Sequence, residues 1–185
     1  MSRQACRTQH FPAVLSAEHC KAAYDYLKDN LQWEEGVRSR KGFTRFAKPL
    51  QLGDDPMVDE LIMEGLRVAG VEGKYTILGI YANLYENGTH WTPNHSHKGT
   101  HQLVVALGAS RTLLVGTKKY ASGNGDVTIF GSGVHGIAPE PDVKEGRISL
   151  ATFMVTNERA AEMHAQQATS ELARVSSILE QLGLA

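Results

Sequence analysis

From Tyr75 to Val155 the chain is a succession of short apolar or alternating runs separated by glycine-bearing turns. YTILGIYANLYENG reads as a strand that ends in a turn at Asn87-Gly88, a strong turn dipeptide. HQLVVALG, RTLLVGT, GDVTIFG and RISLATFMV follow it. Several short strands at this spacing indicate an all-β sandwich or barrel.

The flanks carry a different texture. Ser16 suits a helix N-cap, and Cys20, Ala23, Tyr24, Leu27 and Leu31 follow at helical spacing. Residues 36–53 are basic and punctuated by glycine, with weak alternation, which predicts a hairpin or lid-like loop and not a core strand. A second helix is expected from about Pro56 to Val68, with proline in its first turn and Val58, Leu61, Ile62 and Leu66 on one face. After Asn157 the spacing turns helical again, with Ala161, Met163, Leu172, Val175, Ile178, Leu179 and Leu182 available for one face. That tail is expected to pack on the β-core or to pair two copies, so a monomer or a homodimer is anticipated. The plan is a single α+β domain: helices and a basic lid over 1–74, a β-core over 75–156, and a terminal helix over 157–185.

The chain has 185 residues, enough for one domain with a substantial core. Its formal charge of −1 excludes a global basic footprint for nucleic acid and leaves a local one open. Cys6 and Cys20 are two cysteines without any C-x-x-C, read as free thiols of a reducing compartment. The N-terminal sequence lacks the apolar core of a signal peptide. No apolar stretch is long enough to span a bilayer. A protein of the cytoplasm or of a nucleic-acid-associated compartment, not secreted, is expected.

Five of the eight histidines, His90, His95, His97, His101 and His135, fall in one quarter of the chain. In His95-Ser96-His97 the two imidazoles point to one side of an extended strand, because side chains alternate with period two. His135, from a later strand, can close a facial set around one metal. Imidazole suits iron, zinc, copper and nickel, and a facial triad with open positions is typical of non-haem iron oxygenases. His101 falls on the other face if a strand begins there. His90 and Trp91 follow the turn as packing residues or as part of a cavity mouth. His10, His19 and His164 have no partners in sequence and read as surface residues.

The residues from Asn83 to Phe153 resemble the AlkB-type branch of the Fe(II)/2-oxoglutarate-dependent dioxygenases. Asn83-Leu84-Tyr85-Glu86-Asn87-Gly88 is similar to that branch's N-x-Y-x-x-G stretch, and His95-Ser96-His97 stands where it has H-x-D. Gly125-Asp126-Val127 leading to His135-Gly136-Ile137 resembles its G-D-V strand and distal histidine. Arg147-Ile148-Ser149-Leu150-Ala151-Thr152-Phe153 resembles its final arginine strand. The resemblance implies a double-stranded β-helix (jelly-roll, cupin-like) core with N-terminal helices and a C-terminal helix. It implies Fe(II) held by His95, His97 and His135, which would be the catalytic centre, and 2-oxoglutarate held by Asn83, Tyr85 and Arg147. With O2, such a site hydroxylates a C–H bond, in this branch on a nucleobase of DNA or RNA, where hydroxylating an N-methyl group amounts to demethylation.

The chain departs from the pattern in two places. His97 replaces the aspartate, which leaves the metal with one more positive charge, and the last strand ends Phe153-Met154 without a second arginine. A second resemblance covers part of the same residues. Gly88, His95, His97, His101, Gly108, Gly125, Gly133 and His135 come close to the order of the two cupin motifs, which implies a three-histidine metal dioxygenase or metal-binding protein acting on a small molecule without 2-oxoglutarate. Both share the core fold. For a nucleic-acid lid the candidates are Arg38, Arg40, Lys41, Arg45 and Lys48, interleaved with Phe43 and Phe46. Such cations can neutralise phosphates while the rings stack on bases.

Overall fold

A computed structural model of the chain describes residues 7–35 and 44–181. Its core is two facing antiparallel sheets, the double-stranded β-helix arrangement. The larger sheet contains β1 (Gln9–Phe11), β2 (Trp33–Glu35), β3 (Arg45–Ala47), β4 (Tyr75–Tyr85), β6 (His101–Gly108), β9 (Val127–Phe130) and β11 (Arg147–Thr156), in the spatial order β1-β9-β6-β11-β4-β3-β2. The smaller sheet orders β5 (Thr92–His95), β10 (His135–Ile137), β7 (Arg111–Val115) and β8 (Lys118–Ser122) as β5-β10-β7-β8.

Period-two alternation divides each central strand between two cores. On β6, β11 and β4, Leu103, Val105, Leu107, Ile148, Leu150, Ile80, Ala82 and Leu84 pack against the helices. The alternate residues turn to the small sheet, where Tyr85, Val104 and Phe130 meet Leu113, Val115 and Ile137. The strands are therefore buried on both faces, which is why HQLVVALG reads as a nearly continuous apolar run.

The helices cover the outer face of the large sheet. In α1 (Ala17–Asn30) the Ser16 hydroxyl accepts from His19 N, and Cys20, Ala23 and Leu27 are buried. In α2 (Pro56–Val68) the Asp55 carboxylate accepts from Met57 N at 2.9 Å and Val58 N at 3.2 Å. Its Val58, Leu61, Ile62 and Leu66 are buried, at about 1.5–3 kcal/mol of transfer free energy each. Burial pushes the Cys20 thiol up to about 11, so this free cysteine is an unreactive packing residue. Cys6 lies outside the described residues.

Several short strands carry little signal of their own in the sequence. β1, β2, β3, β5, β8 and β10 are three to five residues long and lack an alternating pattern of their own. They are held by pairing with their neighbours. The expected hairpin at the basic segment takes the form of β2 paired with β3, which adds to β4 through Phe46↔Asn83. The Asn87-Gly88 turn does not close a simple hairpin. Gly88 N donates to Val143 O and Glu140 N donates to Gly88 O, each at 2.8 Å, docking the turn on a distant loop. A Cβ at Gly88 would lie 1.6 Å from Glu140 O, so only glycine fits.

α3 (Asn157–Gln181) leaves the body soon after it begins. Ala160 is buried, and residues 161–174 are exposed, Leu172 at 68%. No described helix is long and apolar enough to cross a membrane.

Candidate metal and anion site

β5 and β10 are the strands that assemble the histidines. They pair with His135 opposite His95, and directly opposed side chains of an antiparallel pair stand about 4.5–5.5 Å apart at Cβ. The two rings are 4.4 Å apart between centroids. β5 ends at His95, so His97 reaches the site from just beyond the strand, its ring 4.9 Å from His95 and 5.5 Å from His135. One ligand atom from each of the three lies within 4.8 Å of the others.

Hydrogen bonds fix which nitrogen faces the centre. His95 Nδ1 donates to Pro93 O at 2.8 Å and His135 Nδ1 donates to Gly133 O at 2.9 Å. A carbonyl only accepts, so both Nδ1 atoms carry a proton and leave Nε2 as the ligand atom of each ring. Backbone carbonyls of this kind orient histidine ligands in metal sites. Burial pushes His135 down to about 4, opposed by its bond to Gly133 and assisted by His95 and His97. Burial and the neighbouring His95 also lower His97. Neutral imidazoles are the metal-binding form.

The triad opens into a cavity of about 640 Å³, a volume suited to a small-molecule ligand. Asn83, Tyr85 and Arg147 line the same cavity, so all six residues singled out for metal and cosubstrate meet there. Arg147 is fully buried. Its guanidinium donates to Ser122 O and, at 3.2 Å, to Ser122 Oγ, while Nε has no partner. Among the described residues no carboxylate lies within ion-pairing distance of it, and burial pushes it down to about 10. The Tyr85 hydroxyl is 2.7 Å from Thr92 Oγ1, and burial raises its pKa. Asn83 Nδ2 donates to Tyr81 O at 3.4 Å and is half-buried. Lys98 is a second cation on the wall, and among the described residues no aspartate or glutamate lines the cavity. Three imidazoles and two cations, with no acid among the described lining residues, make this an anion-accepting site once a divalent metal is added. A buried, unpaired guanidinium is costly unless an anion completes it. The residues present therefore fit both a divalent metal and a dicarboxylate.

Other expectations resolve differently. His101 turns away from the triad and packs against Tyr75 at 5.0 Å. His90 is buried outside the cavity, its Nδ1 accepting from Glu86 N at 3.2 Å, so it packs the turn. His10 is not a free surface group: it bonds Thr128 Oγ1 at 2.9 Å and lies 3.7 Å from Asp126. Of the lid candidates, Arg38, Arg40, Lys41 and Phe43 lie outside the described residues. Arg45 pairs with Glu86 at 3.1 Å, Phe46 is exposed, and neither lines the cavity.

Two residues escaped sequence reasoning. Arg111 is a buried structural guanidinium behind the site, bonded to Glu140 and to four backbone carbonyls. Gln102 lines the cavity, 2% exposed. The available signal was its polarity within the otherwise apolar β6.

No protein-family model matches the chain, and no curated protein matches it. Solved structures do. The chain is similar to the non-haem α-ketoglutarate-dependent epimerase SnoN from nogalamycin biosynthesis, at 17% identity over 80% of this chain and 78% of SnoN, with a TM-score of 0.64. It is similar to a Pseudomonas putida prolyl-4-hydroxylase, at 16% identity over 81% of this chain and 92% of that one, with a TM-score of 0.59. HygX from Streptomyces hygroscopicus, with nickel, 2-oxoglutarate and hygromycin B bound, aligns at 12% identity over 81% and 83%, with a TM-score of 0.60. At these identities the likeness establishes a shared fold.

Proposed function

We propose that the chain is an AlkB-type Fe(II)- and 2-oxoglutarate-dependent dioxygenase that hydroxylates a C–H bond, its substrate a nucleobase of DNA or RNA. The observation that carries the reaction class is the meeting, in one cavity, of a three-histidine face and a buried arginine that lacks an anion. Folds of this kind host many activities, so the site and not the fold bears the argument.

In this reading His95, His97 and His135 hold the iron, with Nε2 of His95 and His135 set by their backbone bonds. Arg147 takes the distal carboxylate of 2-oxoglutarate, for which a planar fork of donors is suited. Tyr85 and Asn83 offer it neutral hydrogen bonds. When bound, iron and 2-oxoglutarate supply the oxidation: the cosubstrate loses CO2 to become succinate, one oxygen atom of O2 enters succinate, and the other enters the substrate C–H bond. Val104, Leu113, Phe130 and Ile137 give the cavity an apolar wall. Because every protein ligand is neutral, the dianionic cosubstrate balances the charge of the metal. Metal and 2-oxoglutarate are accordingly expected to bind with positive cooperativity.

The nucleobase assignment is supported by two things. Tyr81 and Phe153 form an edge-to-face pair at 4.9 Å on the cavity wall, with Tyr81 exposed, which offers a stacking surface. The basic sequence 37–48 joins the hairpin paired to β4, the strand that carries Asn83 and Tyr85. The three-histidine reading without 2-oxoglutarate is favoured by the all-neutral ligand set, but leaves Arg147 without a purpose.

The test is succinate formation from 2-oxoglutarate by protein loaded anaerobically with Fe(II) and then given O2, with and without N-methylated oligonucleotides. Succinate is expected, and oligonucleotide should stimulate it. Succinate without stimulation removes the nucleobase. No succinate from protein with stoichiometric iron overturns the 2-oxoglutarate reading. It leaves the cofactor-independent alternative, for which Arg147→Ala would be silent.

A further inference from the structure

Gln102 lines the cavity, with Phe130 opposite it on β9 and Phe153 opposite it on β11. Each of those rings packs on a histidine of the triad: Phe130 on His135 at 4.8 Å, and Phe153 edge-on to His97 at 4.7 Å. The carboxamide is therefore placed beside the triad. It makes no hydrogen bond with any described residue, and its Nε2 is fully buried. A buried amide left unpaired costs roughly 1–3 kcal/mol, and a methionine or leucine would fill the same space without that penalty.

Gln102 is also remote from the cosubstrate grip. Along β11 it lies opposite Phe153, six positions from Arg147, about 20 Å of extended chain. The Phe153 end of the cavity also holds Tyr81 and Thr100 on its wall. The group that Gln102 awaits thus enters beside the aromatic pair, at the other end from Arg147.

We propose that Gln102 is a specificity-determining residue: its carboxamide hydrogen-bonds the planar substrate held against Phe153 and Tyr81. An amide offers a donor and an acceptor side by side, the pattern that reads the donor–acceptor edge of adenine and equally the amino and ring-nitrogen edge of cytosine. Substrates lacking such an edge would leave the amide unpaired and be rejected. This rests on the nucleobase oxygenase reading above.

The experiment compares wild type with Gln102→Met and Gln102→Asn in three measurements. Metal-free Gln102→Met should melt about 2–4 °C higher than wild type, because an unpaired polar group is removed. Co(II) affinity, followed by its visible absorption, and 2-oxoglutarate affinity of the Co(II)-loaded protein should stay within about twofold of wild type, since neither ligand depends on the amide. With an N-methylated adenine or cytosine oligonucleotide as probe, KM for Gln102→Met should rise about tenfold or more, with Gln102→Asn falling between. A lower melting temperature would mean the amide is bonded within the fold, and lost Co(II) or 2-oxoglutarate affinity would assign it to those ligands. Either result, or an unchanged KM, overturns the proposal. If no oligonucleotide stimulates the wild type, the nucleobase reading fails separately, and the proposal that Gln102 reads such an edge fails with it; a higher melting point would then establish only that the amide is kept unpaired.

Discussion

Arg111 donates through Nε to Glu140 Oε2 at 2.9 Å and through its two terminal nitrogens to the carbonyls of Asn87, Gly88, His90 and Ala138. Burial alone would raise the Glu140 carboxyl, but bonds from Thr112 and Arg111 outweigh it and hold the group below its usual value. Each of its three nitrogens donates, so Arg111 staples the loops behind the site. Arg147 is as deeply buried and has a donor to spare. The same conservative replacement should therefore read out in different ways. Arg111→Lys breaks a fan of bonds that one ammonium cannot reproduce, costing about 3 kcal/mol, and lowers the melting temperature by about 6–12 °C. Arg147→Lys should shift melting by less than about 3 °C yet weaken 2-oxoglutarate about 10- to 100-fold, through loss of a bidentate charge-assisted contact. Isothermal titration of 2-oxoglutarate into the Co(II) forms, beside the two melts, separates them. Unaltered 2-oxoglutarate affinity in Arg147→Lys would remove that arginine from the anion site.

At the level of elements, the metal face depends on how closely β5 and β10 approach. Gly136 follows His135, and a Cβ there would lie 2.8 Å from both Asn94 Oδ1 and Thr92 O and 3.0 Å from Pro93 C. Two of those atoms are backbone of β5, so Gly136→Ala must push β5 off β10 and separate His95 from His135. Co(II) affinity is expected to fall at least about tenfold while far-ultraviolet circular dichroism stays native, since a displacement of about 1 Å disrupts a ligand set more than a sheet. Full retention of Co(II) binding would show that the strands yield without moving the ligands. The same geometry explains what could be read in the sequence. All three helices, β4, β6, β7, β9 and β11 carry periodic or apolar patterns over enough residues to be seen. β5 reads Thr92-Pro93-Asn94-His95, with a proline admissible only at an edge, and nothing local marks it as a strand. The histidines were legible because metal chemistry restricts residue types. Gln102 and Arg111 were not, because their roles depend on partners, or on the lack of them, distant in the chain.

Across the whole molecule, the large sheet serves two cores at once, helices on one face and the cavity on the other. Burial on the cavity side places His135 and His97 in surroundings that disfavour the imidazolium, and burial elsewhere does the same to His90 and His101. In the unfolded chain these groups take up protons near pH 6.5. In the folded, metal-free protein His135 does so only near about 4. Between those values the unfolded state binds more protons than the folded one, so stability rises with pH and is lost as pH falls. Metal-free protein should therefore melt progressively lower from pH 7 to pH 5, a range in which ordinary carboxylates have barely begun to titrate. His135→Gln, which cannot take up the proton, should have a shallower profile over the same range, at the cost of one metal ligand. Melting curves at constant ionic strength decide it. A wild-type melting temperature that stays flat from pH 7 to pH 5 would mean that these imidazoles protonate in place, and the burial that disfavours the imidazolium at His135 and His97 would be refuted with that result.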